Sequence, residues 1–192
     1  MCTAMSQPTN QGVMNSSVGN AHFYYAGDKS TQSKSNNCCF ISHTSEDKPL
    51  VELIKNAIQT LVNPDFVVFV DTDADSIKPG RKWSDQIREA LQQSSHFIVI
   101  ISQHSLNRQW INVEIGAAWG AGVNILPVCY GKITSEELST PLSEYQDIHL
   151  EDIQDNSAMV SFIERIMHFF DIKNISLAKV RNFLKYHEIS KV

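Results

Sequence analysis

Several short runs in this chain are apolar at nearly every position, not at every second one. Phe97-Ile98-Val99-Ile100-Ile101 is the clearest, and residues 66–70, 124–128 and 38–42 are similar. A strand with one wet face alternates apolar and polar residues. Runs without alternation are strands covered on both faces, which points to a parallel sheet. Between the runs the period changes. Leu50, Leu53, Ile54, Ala57, Ile58 and Leu61 form a helical stripe along residues 48–61. Residues 83–91 put Trp83, Ile87, Ala90 and Leu91 on one side, and further helices are predicted over residues 111–121 and 157–170. A weak fifth strand falls at residues 146–150. Alternating strand and helix predicts an α/β domain, a doubly wound parallel five-stranded sheet with helices on both faces. Ligands of such sheets sit beyond the carboxyl ends of the strands. The loops of interest are therefore residues 43–48, 71–82 and 102–110.

This domain is expected to span residues 38–171. Residues 1–37 are rich in Ser, Asn, Gln, Thr and Gly, too poor in aliphatic side chains to fold alone, and expected to be flexible. Phe23-Tyr24-Tyr25 stands out there, as a chance cluster or a docking segment. Residues 172–192 read as a basic helical tail, with Lys173, Lys179, Arg181, Lys185 and Lys191 against the single acid Glu188. Ser176 could cap a helix with Leu177, Val180, Phe183 and Leu184 on one face. Packing on the domain and binding a partner both fit that face.

Charge and cysteine usage exclude several classes. The 192 residues carry a formal charge of −5, with a pI near 5.8. A non-specific nucleic-acid binder needs a basic surface, so none is expected; a small anionic ligand needs only local donors. Cys2, Cys38, Cys39 and Cys129 form no CxxC pair, which predicts neither a disulfide framework nor a zinc site and suits a reducing compartment. His43, His96, His104, His149 and His168 lack ligand spacing such as HExxH, so no metal is expected. No basic segment followed by an apolar run opens the chain, and the longest apolar run is far too short to cross a bilayer. The expectation is a cytoplasmic protein with neither a membrane nor a nucleic-acid partner. Gly116, Gly120 and Gly122 form no phosphate loop. They are expected to permit close helix–sheet packing and to end the third helix.

Three blocks then carry a resemblance. Phe40-Ile41-Ser42-His43 is followed by the acidic pair Glu46-Asp47. Residues 71–80 read DTDADSIKPG. Trp110-Ile111-Asn112-Val113-Glu114-Ile115-Gly116 is followed by Asn124-Ile125-Leu126-Pro127-Val128. In this order and spacing they resemble the Toll/interleukin-1 receptor (TIR) domain family, and in particular its microbial NAD-cleaving immune members. The resemblance covers about two thirds of the chain and implies a flavodoxin-like form of the doubly wound sheet.

What it implies chemically is cleavage of the nicotinamide–ribose bond of NAD, taken as substrate with no separate cofactor. Glu114, four residues after Trp110, matches the catalytic glutamate of the enzymatic members; residues i and i+4 share a helix face, so Trp110 can wall the carboxylate from water. Trp83 corresponds to the aromatic residue that stacks on the nicotinamide side. His43 and Thr44 would line the nucleotide, without the arginines that some animal members carry there. Asp71 is the aspartate ending the second strand. Asp73, Asp75, Pro79 and Gly80 belong to the BB loop, expected to be exposed, mobile and used in assembly with other TIR domains.

The short list makes chemical sense. Ordinary glycosidases use two carboxylates, one to protonate a poor leaving group. Nicotinamide leaves as a neutral molecule from a cationic one, so a single carboxylate can hold the ribose and stabilise the developing positive charge. Water as nucleophile gives ADP-ribose; an atom of the substrate gives a cyclic ADP-ribose-type product, which a separate effector could read. A non-catalytic TIR scaffold acting through TIR–TIR assembly is the alternative. A nucleoside deoxyribosyltransferase, a related fold with a carboxylate nucleophile, fits the BB-loop-like segment less well.

Overall fold

The structure, a computed structural model, describes residues 37–70 and 83–187. Its chain order is β1 (Cys38–Ser42), α1 (Lys48–Ala57), β2 (Val67–Val70), α2 (Trp83–Gln93), β3 (His96–Ile101), α3 (Gln109–Gly120), β4 (Asn124–Tyr130), β5 (Ile148–Leu150), α4 (Asn156–Phe169) and α5 (Leu177–Tyr186). Five strands form one sheet in the order β2-β1-β3-β4-β5, and every pairing is parallel. The expected doubly wound α/β fold is the observed one. The chain steps outward from β1 to β2, then returns to place β3 on the other flank of β1. That reversal opens a crevice at the carboxyl ends of β1 and β3.

Both faces of the sheet are covered, as the unbroken apolar runs required. One core gathers Ile41, Ile98, Ile100 and Val128 against α1 and α4. The other gathers Phe40, Phe97, Val99 and Ile101 against α2 and α3. Phe40 and Phe97 stack across the β1–β3 pair with ring centroids 5.9 Å apart. The strand that departs from the pattern is β2. It is an edge strand, and its Val67 is exposed.

The helix boundaries shift for local reasons. The first helix does not stay α-helical to Leu61; from Ile58 to Val62 it widens into a π-type turn. Helix α4 starts at Asn156 because the Asp155 carboxylate accepts the N–H groups of Ala158 and Ser157, at 3.1 and 2.9 Å. Those bonds, led by the one from Ala158, hold the Asp155 carboxyl below its ordinary value. Helix α5 packs on α4, and its Val180 and Phe183 are buried in the first core. Among the described residues no helix is long and apolar enough to cross a membrane. Cys38, Cys39 and Cys129 are buried free thiols. Burial, then the hydrogen bond to Asp147, push the Cys129 thiol up to about 12.

The expectation for the third helix's glycines is corrected in part. A Cβ at Gly116 or Gly120 would meet nothing within 4 Å, so neither serves close packing. Gly122 does end the helix: its φ is +61°, and its N–H donates to Trp119 O at 3.0 Å. Opposite effects follow. Gly116→Ala should stabilise the fold by roughly 0.5–1 kcal/mol, since only the helix propensity changes. Gly122→Ala should destabilise it by roughly 1 kcal/mol, since a left-handed residue then carries a Cβ. Thermal melts of the two variants check the signs.

Candidate functional site

At the carboxyl end of β1 the chain turns through Ser45–Asp47 into α1. The turn buries a carboxylate: Asp47 is 1% exposed. Its Oδ2 accepts from Thr44 Oγ1 and from Ser102 Oγ, each at 2.9 Å. Ser102 directly follows β3, so this network closes across the switch point of the sheet. Around it Ser105 Oγ accepts the Ser102 N–H at 2.7 Å and donates to Ile100 O at 3.0 Å. Ser42 Oγ and Asp47 Oδ1 are buried and find no hydrogen-bond partner among the described residues.

The second part of the site stands on α3. Glu114 is fully buried, on the helix face that also carries Ile111, Ile115 and Ala118. Trp110 is half-buried one turn earlier, and its Nε1–H donates to Glu114 Oε1 at 2.8 Å. The i, i+4 spacing therefore does more than wall the carboxylate: it supplies a hydrogen-bond donor. Crossover helices run back antiparallel to the strands, so the first turns of α3 start beside the carboxyl end of β3. The exposed pair Arg108 Nη2–Glu46 Oε1, 3.8 Å apart, links the start of α3 to the turn after β1.

Burying Glu114 is costly. Taking a carboxylate out of water costs several kcal/mol unless partners compensate, and the Trp110 indole N–H is one such partner. Glutamine would accept the same bond without a charge.

Of the residues singled out from sequence, the structure joins Trp110 to Glu114 by a hydrogen bond, and it places His43 and Thr44 at the end of β1. Asp71, Asp73, Asp75, Pro79 and Gly80 lie outside the described residues. Trp83 opens α2, with its side chain outside the described part. Asp47 and Ser102 were missed as site residues. The available signal was a serine directly following an all-apolar strand and an acid four residues beyond His43. Two concavities lie elsewhere. One of about 650 Å³, lined by Ile125, Gln146, Glu164 and Arg165, sits at the amino ends of β4 and β5. Another of about 600 Å³ lies between the π-type turn and α5. A smaller hollow of about 300 Å³ flanks α3, lined by Ser105, Asn107, Ile111 and Asn112.

Comparison with known proteins bears on the family and the fold. The TIR domain family model matches residues 39–165, and the chain belongs to that family. A TIR-STING receptor from C. gigas in complex with 2',3'-cGAMP is similar in fold, at 24% identity and a TM-score of 0.52, over 69% of this chain and 38% of that one. A second structure of a TIR-STING receptor from C. gigas aligns at 21% identity and a TM-score of 0.51, over 72% and 41% of the two chains. This chain thus spans less than half of either receptor chain. The TIR domains of the activated Roq1 resistosome, which recognises the pathogen effector XopQ, align at 15% identity and a TM-score of 0.43, over 78% of this chain and 98% of that one. A search of the curated proteins finds no significant match.

Proposed function

We propose that this TIR domain cleaves the nicotinamide–ribose bond of NAD, releasing nicotinamide and forming ADP-ribose or a cyclic ADP-ribose-type product. The observation that carries the reading is the fully buried Glu114 carboxylate with the Trp110 indole N–H on one of its oxygens, 2.8 Å away. As the C1–N bond lengthens, positive charge grows on the ribose carbon and its ring oxygen. A carboxylate in a dry site stabilises that charge strongly, and the departing nicotinamide needs no proton. Trp110 orients the carboxylate through one of its oxygens, and on this reading the carboxylate meets the ribose. His43 and Thr44 at the end of β1, with Asp71 and Trp83, would line the nucleotide. The resemblance to microbial immune members suggests antiviral defence, with the nucleotide product read by a separate effector.

The burial of Glu114 has a second consequence. Glu114 is fully buried in the described chain, so on this reading the ribose reaches it only after a rearrangement. Assembly with further TIR domains through the BB loop, residues 72–80, would supply it. Specific activity should therefore rise with protein concentration, and replacing Pro79 or Gly80 should lower it without changing the melt. Initial rates of nicotinamide release across a wide dilution series, beside light scattering for mass, check this. Flat specific activity in a monomer would rule assembly out as the trigger.

The competing reading is a scaffold, for which a sealed Glu114 is no obstacle. Chromatography of NAD incubations separates the two. Nicotinamide with ADP-ribose or a cyclic nucleotide supports the enzyme, and untouched NAD with an assembling protein supports the scaffold.

A further inference from the structure

Strands β4 and β5 pair so that Cys129 stands opposite His149, and Asp147 lies two residues before His149. Asp147 Oδ2 lies 3.3 Å from Cys129 Sγ and 3.0 Å from His149 Nε2. The sulfur, the carboxylate oxygen and the ring nitrogen all lie within 4.8 Å of one another. Zinc takes thiolate sulfur at about 2.3 Å and nitrogen or carboxylate oxygen at about 2.0–2.2 Å, arranged tetrahedrally. The donor-to-donor edges of such a tetrahedron are roughly 3.3–3.6 Å. The two separations above already lie within a few tenths of an ångström of that edge.

Donor type and charge agree with the geometry. One sulfur, one nitrogen and one oxygen make a mixed set suited to a borderline ion, not to magnesium or calcium, which prefer oxygen alone. A thiolate and a carboxylate balance a divalent cation, so the partly buried cluster would end neutral. Ser135 Oγ lies 3.1 Å from His149 Nε2, on the first short turn of the connection after β4, where a hydroxyl or a water could complete four donors.

We propose that Cys129, Asp147 and His149 form a zinc site that fastens the edge strand β5 to β4. The fold gives such a fastening a purpose. Strand β5 has three residues, is the outermost strand on its side, and follows a long connection from β4 made of short turns. A metal bridging the two strands would hold that connection to the sheet. The cluster lies on the β4–β5 side, while the Asp47 network closes between β1 and β3, so this proposal does not depend on NAD cleavage. Sequence spacing could not show it. Cys129 and His149 stand twenty positions apart, and only the parallel register brings them together.

The test uses the full chain, stripped with chelator and kept reduced, titrated with Zn²⁺ by calorimetry and melted with and without the ion. Expected are one zinc per chain and a higher melting temperature with zinc. Co²⁺ in its place should give a thiolate-to-cobalt absorption band. Cys129→Ser should remove the band, and His149→Ala should abolish the stoichiometric step. His149 is exposed, so its replacement tests the site even if the buried Cys129→Ser variant folds poorly. No stoichiometric binding would overturn the proposal, as would binding unchanged in the folded His149→Ala variant.

Discussion

Glu114→Gln should cut NAD turnover by about 10²-fold or more and leave the fold intact. That is the scale lost when one preorganised electrostatic group is removed from a transition state. The amide is close to the carboxylate in shape, and its oxygen can still accept the Trp110 N–H now found at 2.8 Å. What disappears is the negative charge facing the developing oxocarbenium carbon. Because the amide is nearly isosteric with the carboxylate, the variant should melt close to the parent. Activity down and stability unchanged is the signature of a chemical role; a purely structural carboxylate would lower both or neither. Trp110→Phe keeps the ring and removes the donor, so its rate should fall between those of the parent and Glu114→Gln. Initial rates of nicotinamide release at matched protein concentration, beside thermal melts, check the order. Equal NAD consumption by Glu114→Gln and the parent would remove Glu114 from the mechanism.

Phe183→Ala should destabilise the protein by about 3–5 kcal/mol, the range for truncating a buried aromatic side chain. For a domain of this size that lowers the melting temperature on the order of 10 °C. Phe183 is 4% exposed and lies in the same core as Val180, Phe162 and Ile166, although family similarity ends at residue 165. Leu177 opens the same helix but is 46% exposed, so Leu177→Ala should change little. A thermal melt of the pair reads the contrast. A Phe183→Ala variant that melts like the parent would show that α5 contributes little to the body and is available to a partner.

The parts of the molecule that could be read from sequence are those governed by local pattern. Residues 97–101 are apolar throughout because β3 is the central strand and is buried on both faces. Trp110 and Glu114 were singled out by the resemblance to the TIR family; helical geometry adds that residues four apart share one face, and a hydrogen bond joins them. The rest depends on register. Asp47 reads as an ordinary acid in a turn until β1 and β3 bring Ser102, fifty-five positions on, to its carboxylate. The glycines misled for the opposite reason: small residues in a helix suggest close packing, but Gly116 and Gly120 face open space. The lengths of α1 and β2 were approximate because the π-type turn at Ile58–Val62 has no sequence mark and Val67 shows only apolarity, not its place at an edge.

The most direct measurement is nicotinamide release from NAD by the purified full chain. It should be run from dilute protein to the highest concentration reached, with the nucleotide products separated by chromatography. Expected is loss of NAD with stoichiometric nicotinamide and ADP-ribose or a cyclic product, steeper at high concentration and suppressed in Glu114→Gln. NAD left intact at every concentration by a protein that visibly assembles would contradict the enzymatic reading and leave a TIR scaffold.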